Sequence, residues 1–102
     1  MPRRVFLVTA DLLFRSKLGA ALAAHDGEVV RDEAAQCDLA VVALEAPGAV
    51  DRVRGLVARG IPVLAYGSHV RAELLRAARD AGATAVPNSE VERRLVQLLT
   101  ST

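Results

Sequence analysis

Two kinds of segment alternate along the chain. Short runs that are apolar at nearly every position are followed by longer segments in which apolar residues recur every three or four positions. The first pattern is typical of parallel strands that are covered on both faces, and the second of amphipathic helices packed on a sheet. This alternation predicts β/α units that build a parallel sheet.

Five apolar runs predict five strands, at residues 5–9, 28–31, 39–44, 61–66 and 83–86. Helical periodicity predicts helices at residues 12–24, 50–59 and 71–81. The sequence Ser-Glu-Val-Glu at 89–92 predicts a capping box that opens a last helix. Right-handed crossovers between parallel strands then give an α/β, flavodoxin-like, doubly wound sheet of order 2-1-3-4-5, in a single domain over residues 1–102.

Polar and glycine residues mark the helix ends. Asp11 precedes the first helical segment and is a predicted N-cap. Gly27, Gly60 and Gly82 each follow a helical segment, so they are predicted C-terminal stops.

The connection between the second and third strands is unusually short. Seven residues separate Val30 from Asp38, whereas a parallel crossover normally takes a dozen or more. The sequence therefore predicts a second helix truncated to a turn, with a thinly covered sheet face near residues 32–37. Our hypothesis is that a second subunit or another protein covers that face.

Charge and composition exclude several classes of function. The chain has 102 residues, with 13 basic and 12 acidic side chains scattered along it, so no basic patch for nucleic acid is expected. No apolar run approaches the ~20 residues that span a membrane, and the first residues do not resemble a signal peptide. A cytoplasmic protein without membrane contact is expected. Cys37 is the only cysteine, and no Cys/His cluster, glycine-rich dinucleotide motif or Walker A motif is present, so neither a metal nor a cofactor is predicted.

One segment carries a family resemblance. Residues 38–48, Asp-Leu-Ala-Val-Val-Ala-Leu-Glu-Ala-Pro-Gly, combine an acidic residue, an apolar strand and a Pro-Gly turn. In this order they resemble the phospho-accepting segment of two-component response-regulator receivers (CheY-like domains). Residues 5–8, 61–66 and the Ala-Gly-Ala at 81–83 resemble other receiver segments, so the resemblance covers essentially the whole chain. It implies the receiver fold and a role in signal transduction.

The same resemblance implies which positions would carry phosphorylation chemistry. Thr9 and Ala10 occupy the positions of the carboxylates that hold Mg²⁺, and Ala43 occupies that of the phospho-accepting aspartate. Gly67 occupies the position of the switch hydroxyl, and Ser89 or Asn88 that of the phosphate-binding lysine. Because none of these residues can perform the corresponding task, the sequence predicts a degenerate pseudo-receiver that cannot be phosphorylated.

Other polar residues are predicted to lie at the carboxyl edge of the sheet, where open α/β folds bind ligands. Asp11 and Glu45 flank the degenerate positions and are candidates for a weak cation site; the alternative is a helix cap and a solvated loop residue. Ser68, His69 and Asn88 are candidate contacts for a ligand or a protein partner. Adjacent Ser68 and His69 do not make a catalytic pair without an oriented base and an oxyanion site, so no enzyme is predicted.

A set of arginines forms a candidate interface. Arg71, Arg76, Arg79, Arg93 and Arg94 are predicted on the last two helices, interleaved with acidic residues. Such a surface could pair with itself in a homodimer, or it could simply be a solvated surface of mixed charge.

The sequence as a whole predicts a stand-alone, phosphorylation-independent receiver-like domain. It would act in signalling or regulation through protein–protein interaction, as a homodimer or with another protein. Two alternatives stay open: a sensor that binds a small molecule at the carboxyl edge, and an ordinary phosphorylated receiver whose residues are misaligned by one position.

Overall fold

Five parallel strands form one sheet in the order β2-β1-β3-β4-β5. The computed structural model describes residues 3–100, and it confirms the predicted fold class and strand order. The elements are β1 (Arg3–Val8), α1 (Leu12–Ala24), β2 (Gly27–Val30), β3 (Leu39–Ala43), α2 (Ala49–Ala58), β4 (Val63–Gly67), α3 (Ala72–Asp80), β5 (Thr84–Pro87), a 3₁₀ turn (Asn88–Glu90) and α4 (Val91–Thr100).

The sheet separates two apolar cores. On one face, α1 and α4 bury Leu18, Leu22 and Leu95 completely against the strands. On the other face, α2 and α3 bury residues such as Val53 and Leu56. Successive residues of β3 point into alternate cores, as the pleat requires. Full burial of each leucine stabilises the native state by about 1.5–3 kcal/mol.

The connection from β2 to β3 contains no helix. Residues 31–38 instead form turns that two arginines of α2 and its C-terminal end hold in place. Arg52 Nε lies 2.9 Å from Glu33 Oε1, and Arg59 donates to the carbonyl oxygens of Glu33 and Ala35 at 2.7 and 3.3 Å. A turn therefore takes the place of a second helix, as the sequence predicts, and charged hydrogen bonds from these two arginines stabilise it.

The short connection covers its own sheet face. Phe6 and Val30 are adjacent partners in the sheet and lie on this face, yet they are only 6% and 5% exposed. The predicted bare face near residues 32–37 is therefore wrong, because the turns, which Arg52 and Arg59 hold in place, close it. Cys37 is half-buried and packs against the same core.

Two helix ends differ from the prediction. After α1 the residue with positive φ is Asp26, at +59°, while Gly27 already begins β2. A side chain at Gly27 would meet Leu22, since a Cβ there would lie 2.9 Å from Leu22 Cδ2. The predicted capping box at Ser89 is replaced by the 3₁₀ turn, so α4 begins at Val91, one residue later than a cap at Ser89 predicts.

Gly60 and Gly82 are confirmed as glycine-dependent turns after helices. Both adopt positive φ, +78° and +105°, which costs other L-residues about 1–2 kcal/mol. At Gly82 a Cβ would also lie 2.9 Å from Val57 Cγ1, whereas at Gly60 no atom lies within 4 Å of that position.

We predict that Gly82→Ala lowers the free energy of unfolding by about 2–3 kcal/mol, because backbone strain and overpacking against Val57 add together. The matched variant Gly60→Ala carries only the strain and should lose about 1 kcal/mol. Urea denaturation measures both values. Equal losses in the two variants would show that Val57 does not constrain the turn.

Candidate functional site

A cleft of about 200 Å³ opens at the carboxyl edge of the sheet. It forms where β1, β3 and β4 end and the 3₁₀ turn begins, because parallel strands place their carboxyl ends at one edge. Its lining combines small and aromatic apolar side chains with a few polar ones: Thr9, Ala10, Asp11, Phe14, Ala43, Glu45, Ala46, Pro47, Tyr66, Gly67 and Asn88.

The cleft gathers most of the predicted carboxyl-edge residues. These are Thr9, Ala10, Asp11, Ala43, Glu45, Gly67 and Asn88. Ser68, His69 and Ser89 do not line it. The Ser68 hydroxyl accepts a hydrogen bond from the Val70 amide at 3.3 Å, and His69 and Ser89 are exposed.

Asp11 has a structural role at the start of α1. Its Oδ1 accepts from the amides of Leu13 and Phe14 at 2.8 and 3.4 Å, which confirms the predicted N-cap. Thr9 steadies the same loop, since its hydroxyl accepts from the Asp11 amide at 3.2 Å. Arg15 donates to the Thr9 carbonyl at 2.8 Å. The wall of the cleft formed by this loop is therefore held in place by several hydrogen bonds.

Tyr66 is a cleft residue that the sequence did not mark as a candidate. It lies near the end of β4, is 3% exposed, and its ring centroid lies 5.1 Å from that of Phe14 at an interplanar angle of 43°. Its hydroxyl oxygen is buried and has no hydrogen-bond partner among residues 3–100. The available sequence signal was the chain's single tyrosine at the carboxyl end of an apolar strand.

The surroundings of Tyr66 keep its hydroxyl protonated. Burial raises the pKa of Tyr66 above its ordinary value, and the negative charges of Asp11 and Glu45 raise it further. The nearby Thr9 hydroxyl acts in the opposite direction and lowers the pKa, although the two hydroxyls do not meet hydrogen-bond geometry. Since burial has the largest effect, the phenol stays neutral at physiological pH.

No family model matches the chain, and no curated protein matches it in sequence. Solved structures do match. A response regulator from Thermotoga maritima is 15% identical with a TM-score of 0.78, each chain being covered completely. The receiver domain of the sensor histidine kinase PA1611 from Pseudomonas aeruginosa, whose structure has a magnesium ion in its active-site cleft, is 16% identical with a TM-score of 0.75, over 99% of this chain and 100% of that one.

The chain has the fold of a response-regulator receiver domain. A third match, NtrX from Brucella abortus, is 14% identical with a TM-score of 0.79, over 96% of this chain but only 26% of the longer NtrX chain. At these identities the likeness concerns the fold, and the chemistry of the receiver-like cleft has to be judged from its own residues.

Within residues 3–100, the cleft offers Mg²⁺ only the carboxylates of Asp11 and Glu45. This ion requires nearly octahedral coordination by oxygen and usually retains several waters. Residues 3–100 contain no group of three or more His, Cys, Asp or Glu side chains placed to hold a metal. Asp11 uses one carboxylate oxygen to cap α1, and the rings of Phe14 and Tyr66 line the cleft beside it.

The candidate arginine interface is partly neutralised within the chain. Arg71 Nε lies 2.6 Å from Glu73 Oε1, and Arg93 Nη2 lies 3.1 Å from Glu90 Oε1. The hydrogen bond from Arg71 also lowers the pKa of Glu73.

The other three arginines of this surface differ in their contacts. Arg79 donates to the Ala85 carbonyl at 2.8 Å, so it serves the turn between α3 and β5. Arg76 and Arg94 are exposed and form no ion pair within the described chain. The charges of Arg76, Arg79 and Arg94 are therefore not offset by an ion pair within residues 3–100, and Arg76 and Arg94 also make no side-chain hydrogen bond there.

Large apolar side chains are exposed at the carboxyl edge, at the start of α1 and in the loop after β4. Leu12 and Leu13, in the first turn of α1, are 78% and 70% exposed, and Val70, in the loop after β4, is 72% exposed. The other large exposed apolar residue of the described chain is Val29 on the edge strand β2, at 39%.

Among residues 3–100, no helix is long and apolar enough to cross a membrane.

We predict that Tyr66→Phe raises the free energy of unfolding at pH 7 by about 1 kcal/mol. A buried hydroxyl without a partner costs about 1–3 kcal/mol, and phenylalanine keeps the ring contact with Phe14. Urea denaturation of the two proteins measures the difference. A loss of stability in the variant would show that the hydroxyl has a partner in solution.

The same pair of proteins tests the pKa shift. The unfolded state releases the Tyr66 proton near pH 10, while the native state retains it to higher pH. The raised pKa of Tyr66 therefore contributes to the free energy of unfolding of the wild-type protein. This contribution is fully present below about pH 10 and is lost as pH rises toward the raised native pKa. The stability gap in favour of Tyr66→Phe should widen above pH 10, and a constant gap would contradict the shift.

Proposed function

We propose that this receiver-like domain acts in signalling or regulation through contact with a protein, without accepting a phosphoryl group. The observation that supports this most directly is Ala43. It is the last residue of β3 and lines the cleft, and the resemblance to receivers assigns it the position of the acceptor. A methyl group has no nucleophilic oxygen, so it cannot form an acyl phosphate.

The neighbours of Ala43 support the same proposal. Thr9 and Ala10 follow β1 where a receiver would hold its metal, and neither has a carboxylate. Gly67 ends β4 without a hydroxyl, and Asn88 begins the 3₁₀ turn without a cation. Catalysis is not part of the proposal, since Ser68 and His69 lie outside the cleft.

A contact surface at the carboxyl edge is favoured by Leu12 and Leu13 at the start of α1 and by Val70 in the loop after β4. Leu12 and Leu13 are adjacent and are each exposed by 70% or more. Exposure of apolar side chains to water is unfavourable, so association that buries them is favoured by about 25 cal/mol per Å² of buried apolar surface. The arginine surface offers less, because exposed ion pairs such as Arg71–Glu73 contribute little and are already made within the chain.

We propose a second copy of the chain as the partner, since an apolar pair on one helix end can pack against itself across a two-fold axis. Sedimentation equilibrium without any phosphoryl donor should show a reversible dimer. Leu12→Ser/Leu13→Ser should raise its dissociation constant at least ~10-fold, because each buried leucine contributes about 1.5–3 kcal/mol. Circular dichroism should show an unchanged fold, as both side chains are exposed.

The matched control is Arg76→Ser/Arg94→Ser, which removes two exposed arginines from α3 and α4. It should leave the dimer intact. If the arginine variant dissociates the dimer and the leucine variant does not, the interface lies on the arginine surface. A wild-type protein that stays monomeric at millimolar concentration would refute self-association as the mode of contact.

Binding of a small molecule at the carboxyl edge is the second candidate function. It is favoured by the unpartnered Tyr66 hydroxyl, which is buried in the wall of a cleft large enough for a small organic molecule. Ligand binding and protein contact use neighbouring surfaces and can be measured separately.

A further inference from the structure

We infer that the cleft at the carboxyl edge binds a small organic cation, an ammonium group attached to a compact apolar body. This inference deepens the ligand-binding candidate function and does not require the chain to form a dimer. It rests on the charge of the cleft, the unpartnered Tyr66 hydroxyl, and the apolar lining.

The charge of the lining selects a cation. Asp11 and Glu45 are its charged residues, and no Lys, Arg or His lines it. Glu45 forms no hydrogen bond or ion pair within residues 3–100. Its negative charge interacts electrostatically with Arg71, which is itself paired with Glu73. These two carboxylates, both on exposed residues, repel anions and attract cations.

The Tyr66 hydroxyl provides an unused hydrogen-bonding group in the wall of the cleft. The groups that act on its pKa, namely Thr9, Asp11 and Glu45, all line the same cleft. Tyr66 therefore lines the same cleft as the carboxylates that would attract the ligand. Its oxygen could accept a hydrogen bond from an ammonium N–H, which would satisfy a buried polar atom that otherwise has no partner among residues 3–100.

The remaining lining favours an organic cation over a metal ion. Phe14 and Tyr66 present two aromatic rings, and Pro47, Ala43 and Ala46 add apolar surface. Aromatic faces attract ammonium groups, as the Lys17 ammonium already shows by lying 5.8 Å from the Phe14 ring centroid. A cavity of ~150 Å³ holds benzene, so a cleft of about 200 Å³ has room for one aromatic ring and a short aminomethyl arm.

Three probes of equal size and different charge test the proposal: benzylammonium, benzyl alcohol and benzoate. Titration calorimetry at pH 7 should give benzylammonium a dissociation constant of about 1 mM or tighter. Benzyl alcohol should bind at least ~10-fold more weakly, and benzoate should not bind at ~10 mM. Equal binding of the three probes, or no binding of benzylammonium at ~10 mM, would overturn the proposal.

Conservative variants locate the site. Glu45→Gln and Asp11→Asn each remove one negative charge, and Asn retains N-capping ability. Each should weaken benzylammonium binding about 3- to 10-fold. Tyr66→Phe should weaken it by a similar factor while the fold is retained. The matched control Glu28→Gln removes one exposed carboxylate from β2, outside the cleft, and should change nothing.

The variants also separate this proposal from a nonspecific charge effect. Equal weakening by Glu28→Gln and Glu45→Gln would show that only net charge matters and would refute the site. Binding that survives both Glu45→Gln and Tyr66→Phe unchanged would do the same. Neither result bears on dimer formation, which is measured without the probe.

Discussion

The burial of the central strand β3 on both faces is the constraint on which the structure depends. Leu39, Ala40, Val41 and Val42 are all at most 5% exposed, so each face of the sheet must be covered by helices or their equivalent. The connection between β2 and β3 is too short for a helix. Arg52 and Arg59 instead hold a turn over the sheet face that α2 and α3 cover. The same parallel arrangement aligns the strand ends, and the cleft forms at that edge.

The cleft lies at the carboxyl edge of the sheet, where open α/β folds bind ligands. Its residues differ from those that the resemblance to phosphorylated receivers would imply at this edge. Ala43 and Gly67 have no functional group in their side chains, so they bring neither charge nor a hydrogen-bonding group to the cleft. Tyr66 and Phe14 add aromatic surface, while Asp11 and Glu45 leave negative charge at the same cleft. This combination is the basis of our proposals that the domain recognises a protein or a small cation and does not accept a phosphoryl group.

The fold could be predicted from the sequence because its signals are periodic. The fully apolar run at β3 and the helical spacing of Leu18 and Leu22 indicate the layers, and the rule of right-handed crossovers then gives the strand order. The bare face was mispredicted because the contacts from Arg52 and Arg59 join residues 19 and 26 positions apart in sequence, which no local pattern reveals. Tyr66 was missed for a related reason: an apolar strand predicts burial of its ring but not the absence of a partner for its hydroxyl.

The proposal that the cleft contains no acceptor for a phosphoryl group is the one on which the functional interpretation depends. Intact-mass measurement after incubation with acetyl phosphate and Mg²⁺ tests it most directly, with an aspartate-containing receiver domain treated in parallel as the positive control. We expect an adduct on the control and none on this protein. A phosphoryl adduct that peptide mapping places on Asp11, Glu45 or any other carboxylate of the chain would contradict it.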